Sequence, residues 1–185
     1  MRGEASRSKV SFALLAKNLT GGYLPLAATL TTEKVYRAFL GSFESGRTFY
    51  HGHTFTGNQL ACAAALANLE LIGKKRFLTE VREKARLLEK WLRPLRSHPH
   101  VKDIRLVGLM GGIDLIQDKV DGKEYPYAQK MGYRVCAEAR KRGVLLRPLA
   151  NTIVLMPPLG ISAKDLDWLV EVLYDSIHGA TRFTS

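Results

Sequence analysis

Near residue 75 the hydrophobic pattern changes, and any fold for this chain must accommodate the change. On the C-terminal side, Phe77, Leu78, Val81, Ala85, Leu88, Leu92 and Leu95 follow i, i+3/i+4 spacing. That spacing predicts an amphipathic helix over about 75–97. "HPHVKD" breaks it, and the period drops to two. "VKDIRLVGLMGGIDLI" then reads as two strands meeting near Gly108, or as one strand kinked at its glycines. After the turn-rich "DKVDGKEYPY", a helix is expected over 127–142, closed by Gly143. "VLLRP" and "TIVLMPP" read as short apolar strands. In the last helix, "SAKDLDWLVEVLYDSI", Ser162 and Asp165 form a capping box, and Leu166, Leu169, Val170, Leu173 and Ile177 form the stripe. Residues 75–185 are therefore expected to form a small α/β domain.

The N-terminal side is organised differently. Residues 10–16, "VSFALLA", read as a short buried strand, and after a "TGG" turn "LPLAATLTT" reads as a second, with Pro25 at its edge. Thr32 can cap a short helix in "EKVYRAFLGSF". The loop "ESGRTFYHGHTFTGN" is long for a connector, and loops of that kind tend to carry function. From Asn58 the alanine-rich "NQLACAAALANLELI" suits a helix pressed closely against a neighbour.

Composition excludes several classes. With 185 residues and 46% hydrophobic content, one domain or two small ones can be built. No run approaches the about 20 apolar residues of a membrane span. The head "MRGEASRSKVSFALLA" carries basic residues before an apolar stretch, as signal peptides do. Its apolar part is short and leads straight into "KNLTGG", so a strand with a ragged start is expected instead. Cys62 and Cys136 sit in helix-like surroundings and read as small buried thiols in a reducing cytoplasm, not as a disulfide framework. The net charge of +11 raises the question of nucleic acid. The cations are interspersed with Glu at helical spacing and lack aromatic interleaving, which is the pattern of a solvated helix face.

Three places could carry chemistry. Lys17 ends an apolar run and is followed at once by a Gly21–Gly22 turn. A lysine held at a strand end can condense with an aldehyde, and burial would favour its reactive neutral form, though a lysine beside such a turn is more often a surface charge. In "HGHTFTGN", Gly52, the Thr54 and Thr56 hydroxyls and backbone N–H groups could hold a phosphate at the start of the next helix, or Thr56 and Asn58 could simply cap it. His51 and His53 lack acidic or cysteine companions, so no metal is expected. Arg147 lies between two apolar strands and needs a carboxylate, either its own protein's or a ligand's.

"KNLTGGYLPLAATLTTEKVYRAFLG", "FYHGHTFTGNQLACAAALANLELI" and "GVLLRPLANTIVLMPP", in this order and spacing, resemble the pyridoxal-phosphate-dependent class III aminotransferases from about residue 12 to the C-terminus. The resemblance implies the C-terminal part of a fold-type-I transferase, with residues 1–74 a remnant of the large cofactor-binding domain and 75–185 the small domain. It implies that Lys17 binds the pyridoxal phosphate covalently and later moves a proton between substrate and cofactor. His53 and Thr54 would hold the cofactor phosphate across a homodimer interface, Gly52 would touch substrate through its backbone, and Arg147 would bind a substrate carboxylate. The wording is nearest to biotin-pathway members, which implies small-molecule substrates: 8-amino-7-oxononanoate as acceptor and S-adenosylmethionine as amino donor, with 7,8-diaminononanoate as product. Another class III ω-aminotransferase and a non-catalytic remnant are the alternatives.

The resemblance also sets expectations of incompleteness. Family members are more than twice as long, and the remainder would hold the aspartate for the pyridine nitrogen, a ring-stacking aromatic and a Gly-Ser phosphate loop. Apolar surface of the alanine-rich helix should then lie exposed. "MRGEASRSKV" does not match the family's approach to the lysine strand, Asn18 replaces a small residue, Ala150 stands where glycine is common, and Val154 where some members have tyrosine.

Overall fold

The computed structural model describes residues 11–182, so the basic head, residues 1–10, lies outside the described residues. The chain divides into two compact units between Lys75 and Arg76.

In the first unit, strands β1 (Phe12–Leu15) and β2 (Ala28–Thr31) pair antiparallel, Phe12 opposite Thr31 and Leu15 opposite Ala28. Helix α1 (Glu33–Ala38) follows, with the Thr32 hydroxyl accepting from the Val35 N–H at 3.4 Å. Helix α2 (Gln59–Ile72) is capped by Asn58, whose side-chain oxygen accepts from the Ala61 N–H at 3.0 Å. The expectation of a buried first strand is corrected: β1 is largely exposed, with Leu14 80% accessible. A two-stranded ribbon buries a face only when another layer covers it, and among the described residues of this unit only Thr20, Ala61 and Ala65 are fully buried. Leu60 and Leu66 of α2 are 74% and 63% exposed, so apolar surface of the alanine-rich helix does lie open in this chain, as expected.

The second unit has its own core. Helix α3 (Lys75–Leu92) carries the predicted stripe, which grades from exposed Leu78 to fully buried Leu88 and Leu92. The helix stops short of residue 97, and Arg93–Ser97 tighten into a 3-10 turn. Pro94 has no N–H to donate and its ring crowds the preceding turn. Strands β3 (Val101–Val107) and β4 (Met110–Leu115) form a hairpin, so the two-strand reading of the glycine-rich run is correct, and Gly108 turns it at φ 61°. Helix α4 (Met131–Lys141) begins later than residue 127, after a separate 3-10 turn at Tyr127–Gln129 and Lys130 at φ 50°. Strands β5 (Arg147–Leu149) and β6 (Thr152–Leu155) complete a sheet of order β3-β4-β6-β5, antiparallel throughout. β5 starts three residues later than "VLLRP" suggests and ends one residue later.

Helix α5 (Ala163–Thr181) closes the unit. The Ser162 hydroxyl accepts from the Asp165 N–H at 3.0 Å and donates to the Asp165 carboxylate at 2.7 Å. All five of its predicted stripe residues are buried. They meet Ile104, Ile113, Leu115, Ile153 and Leu155 from the sheet and Val135 and Ala139 from α4. Each such aliphatic side chain contributes about 1.5–3 kcal/mol of burial. Register is pinned on the other side of the sheet by charge. The Arg105 guanidinium holds the Asp114 carboxyl below its ordinary range, and the Thr152 hydroxyl donates to Asp114 at 2.7 Å. Neither cysteine is fully buried; both are free and half-buried, and burial pushes the Cys136 thiol up to about 11.

Candidate active site

β1 ends at Leu15, and one residue later the backbone enters a 3-10 turn, Lys17–Thr20. Lys17 opens that turn at φ 46°, in the left-handed region that side chains with a Cβ adopt only when their surroundings hold them there. The turn is closed by Gly21 at φ 63° and Gly22 at φ 84°, whose N–H groups donate to the Asn18 and Lys17 carbonyls at 3.2 and 3.3 Å. Here glycine is needed for conformation, and the sequence expectation of a flexible turn becomes a specific one. Lys17 is exposed.

Lys17 lines a depression of about 1180 Å³ together with Tyr23, Phe49, His51, His53 and Thr56. The His51 ring stacks on Phe49, with centroids 5.5 Å apart. His53 is fixed by its own loop: its Nδ1 accepts from the Phe55 N–H at 3.2 Å and its carbonyl from the Thr56 N–H at 2.9 Å. Thr54 and Gly52 are exposed on the same loop and are not among the residues lining the depression. Of the two capping residues expected, Asn58 caps α2, and Thr56 instead faces the depression.

Pyridoxal phosphate offers an aldehyde, a phosphate and a ring nitrogen. The lining residues suit the first two: the Lys17 amine for the aldehyde, and the His51 and His53 imidazoles with the Thr56 hydroxyl for the phosphate. Among the described residues of the lining there is no Asp or Glu, so a carboxylate for the ring nitrogen is not supplied by this depression.

Arg147 belongs to the second unit and opens β5. It lies opposite Val154 of β6 and is exposed, not buried between strands as its sequence neighbours suggest. A three-residue edge strand leaves its first side chain at the rim. No carboxylate among the described residues forms an ion pair with it. Arg147 lines a second, mainly apolar depression of about 820 Å³ with Leu145, Val154, Met156 and Trp168.

Two polar residues of the first unit are not singled out by the sequence pattern. Thr20 is 1% exposed, and its hydroxyl donates to the Leu24 carbonyl at 2.6 Å. Asn68 of α2 donates from one amide nitrogen to the Asn18 and Leu19 carbonyls at 2.6 and 3.2 Å. An asparagine inside "AAALANLELI" is the signal that could have found it.

The fold is that of a transaminase. A solved transaminase with L-alanine superposes at TM-score 0.86 and 30% identity, over 96% of this chain and 42% of that one. The crystal structure of adenosylmethionine-8-amino-7-oxononanoate aminotransferase from Methanocaldococcus jannaschii superposes at TM-score 0.86 and 47% identity, over 91% of this chain and 39% of that one. The model of the family "Aminotransferase class-III" matches residues 11–177, and the chain belongs to that family. Curated relatives bearing the same name as the crystal structure include one from Methanocaldococcus jannaschii, 47% identical over 93% of this chain, and one from Nitratidesulfovibrio vulgaris, 50% identical over 90% of it. The chain spans 37% and 31% of the length of these two relatives.

Proposed function

We propose that this chain carries part of the active site of a cytoplasmic, homodimeric aminotransferase of biotin biosynthesis, which moves an amino group from S-adenosylmethionine to 8-amino-7-oxononanoate and yields 7,8-diaminononanoate. The observation that carries this reading is the Lys17 amine, presented at a strand end on a depression that it shares with His53. The names of the relatives supply the substrates. Residues up to Lys75 then form the lysine-bearing end of a larger cofactor-binding domain, and residues from Arg76 the small domain. The exposed leucines of α2 are packing surfaces for the rest of that larger domain.

Bound pyridoxal phosphate supplies the electron sink on which transamination depends. Lys17 Nζ would hold it covalently and, when free, would move a proton between the amine-bearing carbon of the substrate and the cofactor. Thr54, with His53 beside it, holds the phosphate across the dimer interface, in the partner's site; Thr54 lies off the depression of its own chain. The Gly52 backbone orients substrate. Arg147 receives the acceptor's carboxylate on its planar fork of donors, and its apolar surroundings suit the acceptor's alkyl chain.

The test is to incubate the full chain with pyridoxal phosphate, reduce with borohydride and locate the label by mass spectrometry, with Lys17→Ala as control. Amino transfer is then followed by detecting 7,8-diaminononanoate. Label strongest at Lys17 and product formation from both substrates are expected. No Lys17-dependent label refutes the cofactor reading, and label without product leaves the non-catalytic alternative.

A further inference from the structure

The lysine turn is held from outside by one side chain. Lys17 at φ 46° is a conformation that a lysine leaves unless something opposes it. Within the turn, the Thr20 hydroxyl ties the exit to Leu24, accepting from its N–H at 3.4 Å and donating to its carbonyl at 2.6 Å. It also reaches the Lys17 carbonyl at 3.5 Å, which the Gly22 N–H bonds from within the turn at 3.3 Å. The next two carbonyls of the turn, those of Asn18 and Leu19, both accept from Asn68 Nδ2. The same amide limits the turn on its other side, since a Cβ on Gly21 would stand 3.3 Å from Asn68 Oδ1. Asn68 lies in the third turn of α2, and the first turn of α2 is capped by Asn58 directly after the loop that carries His53 and Thr56. The loop bearing His53 and Thr56 thus runs directly into the helix that carries Asn68.

We infer that Asn68 is a positioning residue for Lys17: by bonding the Asn18 and Leu19 carbonyls it holds the lysine turn, left-handed at Lys17, and fixes where the amine is presented. The inference rests on the proposed role of Lys17. Without the two bonds the turn relaxes toward ordinary backbone angles, and the fraction of molecules with a correctly placed amine falls on the order of tenfold. A carboxylate at the same position is worse, because it cannot donate and would face two carbonyl oxygens.

The test compares the full chain with Asn68→Ala and Asn68→Asp. Each is titrated with pyridoxal phosphate, reduced with borohydride and digested, and label is quantified at Lys17 and at Lys34, an exposed lysine of the same unit. The half-saturating concentration at Lys17 should rise about tenfold in N68A and further in N68D, with Lys34 unchanged. A merely structural role would alter both lysines together. Hydrogen exchange provides a reading without cofactor. In N68A the Gly21 and Gly22 N–H groups should exchange faster, while the Gly46 N–H, bonded to the Phe43 carbonyl elsewhere in the unit, keeps its rate. Unchanged Lys17 labelling, or unchanged Gly21 and Gly22 exchange, overturns the inference. If the wild-type chain is not labelled at Lys17, the proposed function fails, and the exchange rates alone decide whether Asn68 holds the turn.

Discussion

Replacing Gly132 by alanine sets two physical effects of opposite sign against each other. Gly132 is a buried residue in the first turn of α4. Helix propensity alone predicts that alanine there stabilises, by up to about 1 kcal/mol. The packing predicts the reverse. A Cβ at Gly132 would stand 2.2 Å from the Ala150 carbonyl oxygen and 3.1 Å from the Pro148 Cβ. The first partner is backbone, in a turn between β5 and β6, and cannot rotate aside as a side-chain tip would. Relief requires α4 to lift from that corner, at an overpacking cost of about 1–3 kcal/mol, with this contact toward the upper end. The net expectation for Gly132→Ala is a loss of about 2 kcal/mol, or roughly 4–8 °C in Tm for a chain of this size. Both tryptophans, Trp91 and Trp168, lie in the second unit, so fluorescence during urea unfolding reports that unit alone. The midpoint should fall with little change in slope. Gly179→Ala in α5 is the matched control, because a Cβ there would meet nothing within 4 Å, and it should hold or raise the midpoint. A G132A midpoint equal to or above wild type would refute the reasoning. Since Arg147 opens the strand that this corner ends, the same variant should also weaken carboxylate binding.

Ala150→Gly should stabilise the second unit by roughly 0.5–1 kcal/mol, since Ala150 sits at φ 53° and glycine removes more strain than its added unfolded-state freedom costs; the same fluorescence titration measures it. Ser162→Ala removes the acceptor for the Asp165 N–H and should cost about 1 kcal/mol, read as a lower midpoint and faster exchange in the first turn of α5. His98 is pushed below its ordinary value, first by burial and then by His100, His178 and Lys119. The unfolded chain therefore takes up its proton more readily, so stability is full above the ordinary histidine value, about 6.5, and falls as pH drops through it. Unfolding curves on either side of that pH should show the loss, and His98→Asn should flatten it.

The second unit was legible in the sequence because its pattern and its packing agree. The α5 stripe, the β3–β4 hairpin and the Ser162 cap were all readable from spacing, and each is satisfied by partners within the unit. The errors there are local and have local causes: Pro94 ends α3 early, and Lys130 delays α4. In the first unit the pattern spoke of burial that the described residues do not provide. Apolar spacing in β1 and alanine packing in α2 register a neighbour without saying whether the same chain contains it. The site shows the same division. Lys17, His53 and Arg147 could be singled out by residue type, whereas Asn68 is marked only as a polar residue in an apolar helix, and its role depends on a turn 49 and 50 residues away.

Backbone strain connects the two candidate regions to the rest of the fold. Among the described residues, three that are not glycine have positive φ: Lys17, Lys130 and Ala150. None is Asn or Asp, which tolerate the left-handed region best, so each must be held by its surroundings. Lys17 is held by Asn68 and the glycine pair. Lys130 precedes the first turn of α4, where Gly132 meets the Ala150 carbonyl, so these two strained residues flank one close contact. That contact sits at the end of the strand bearing Arg147. Strain in this chain is thus found beside the proposed cofactor lysine and beside the proposed carboxylate-binding arginine, where a fold that tolerated ordinary backbone angles would present those side chains elsewhere. Relieving it is therefore expected to separate stability from function: Ala150→Gly should raise the first while leaving Arg147 less firmly placed for the second.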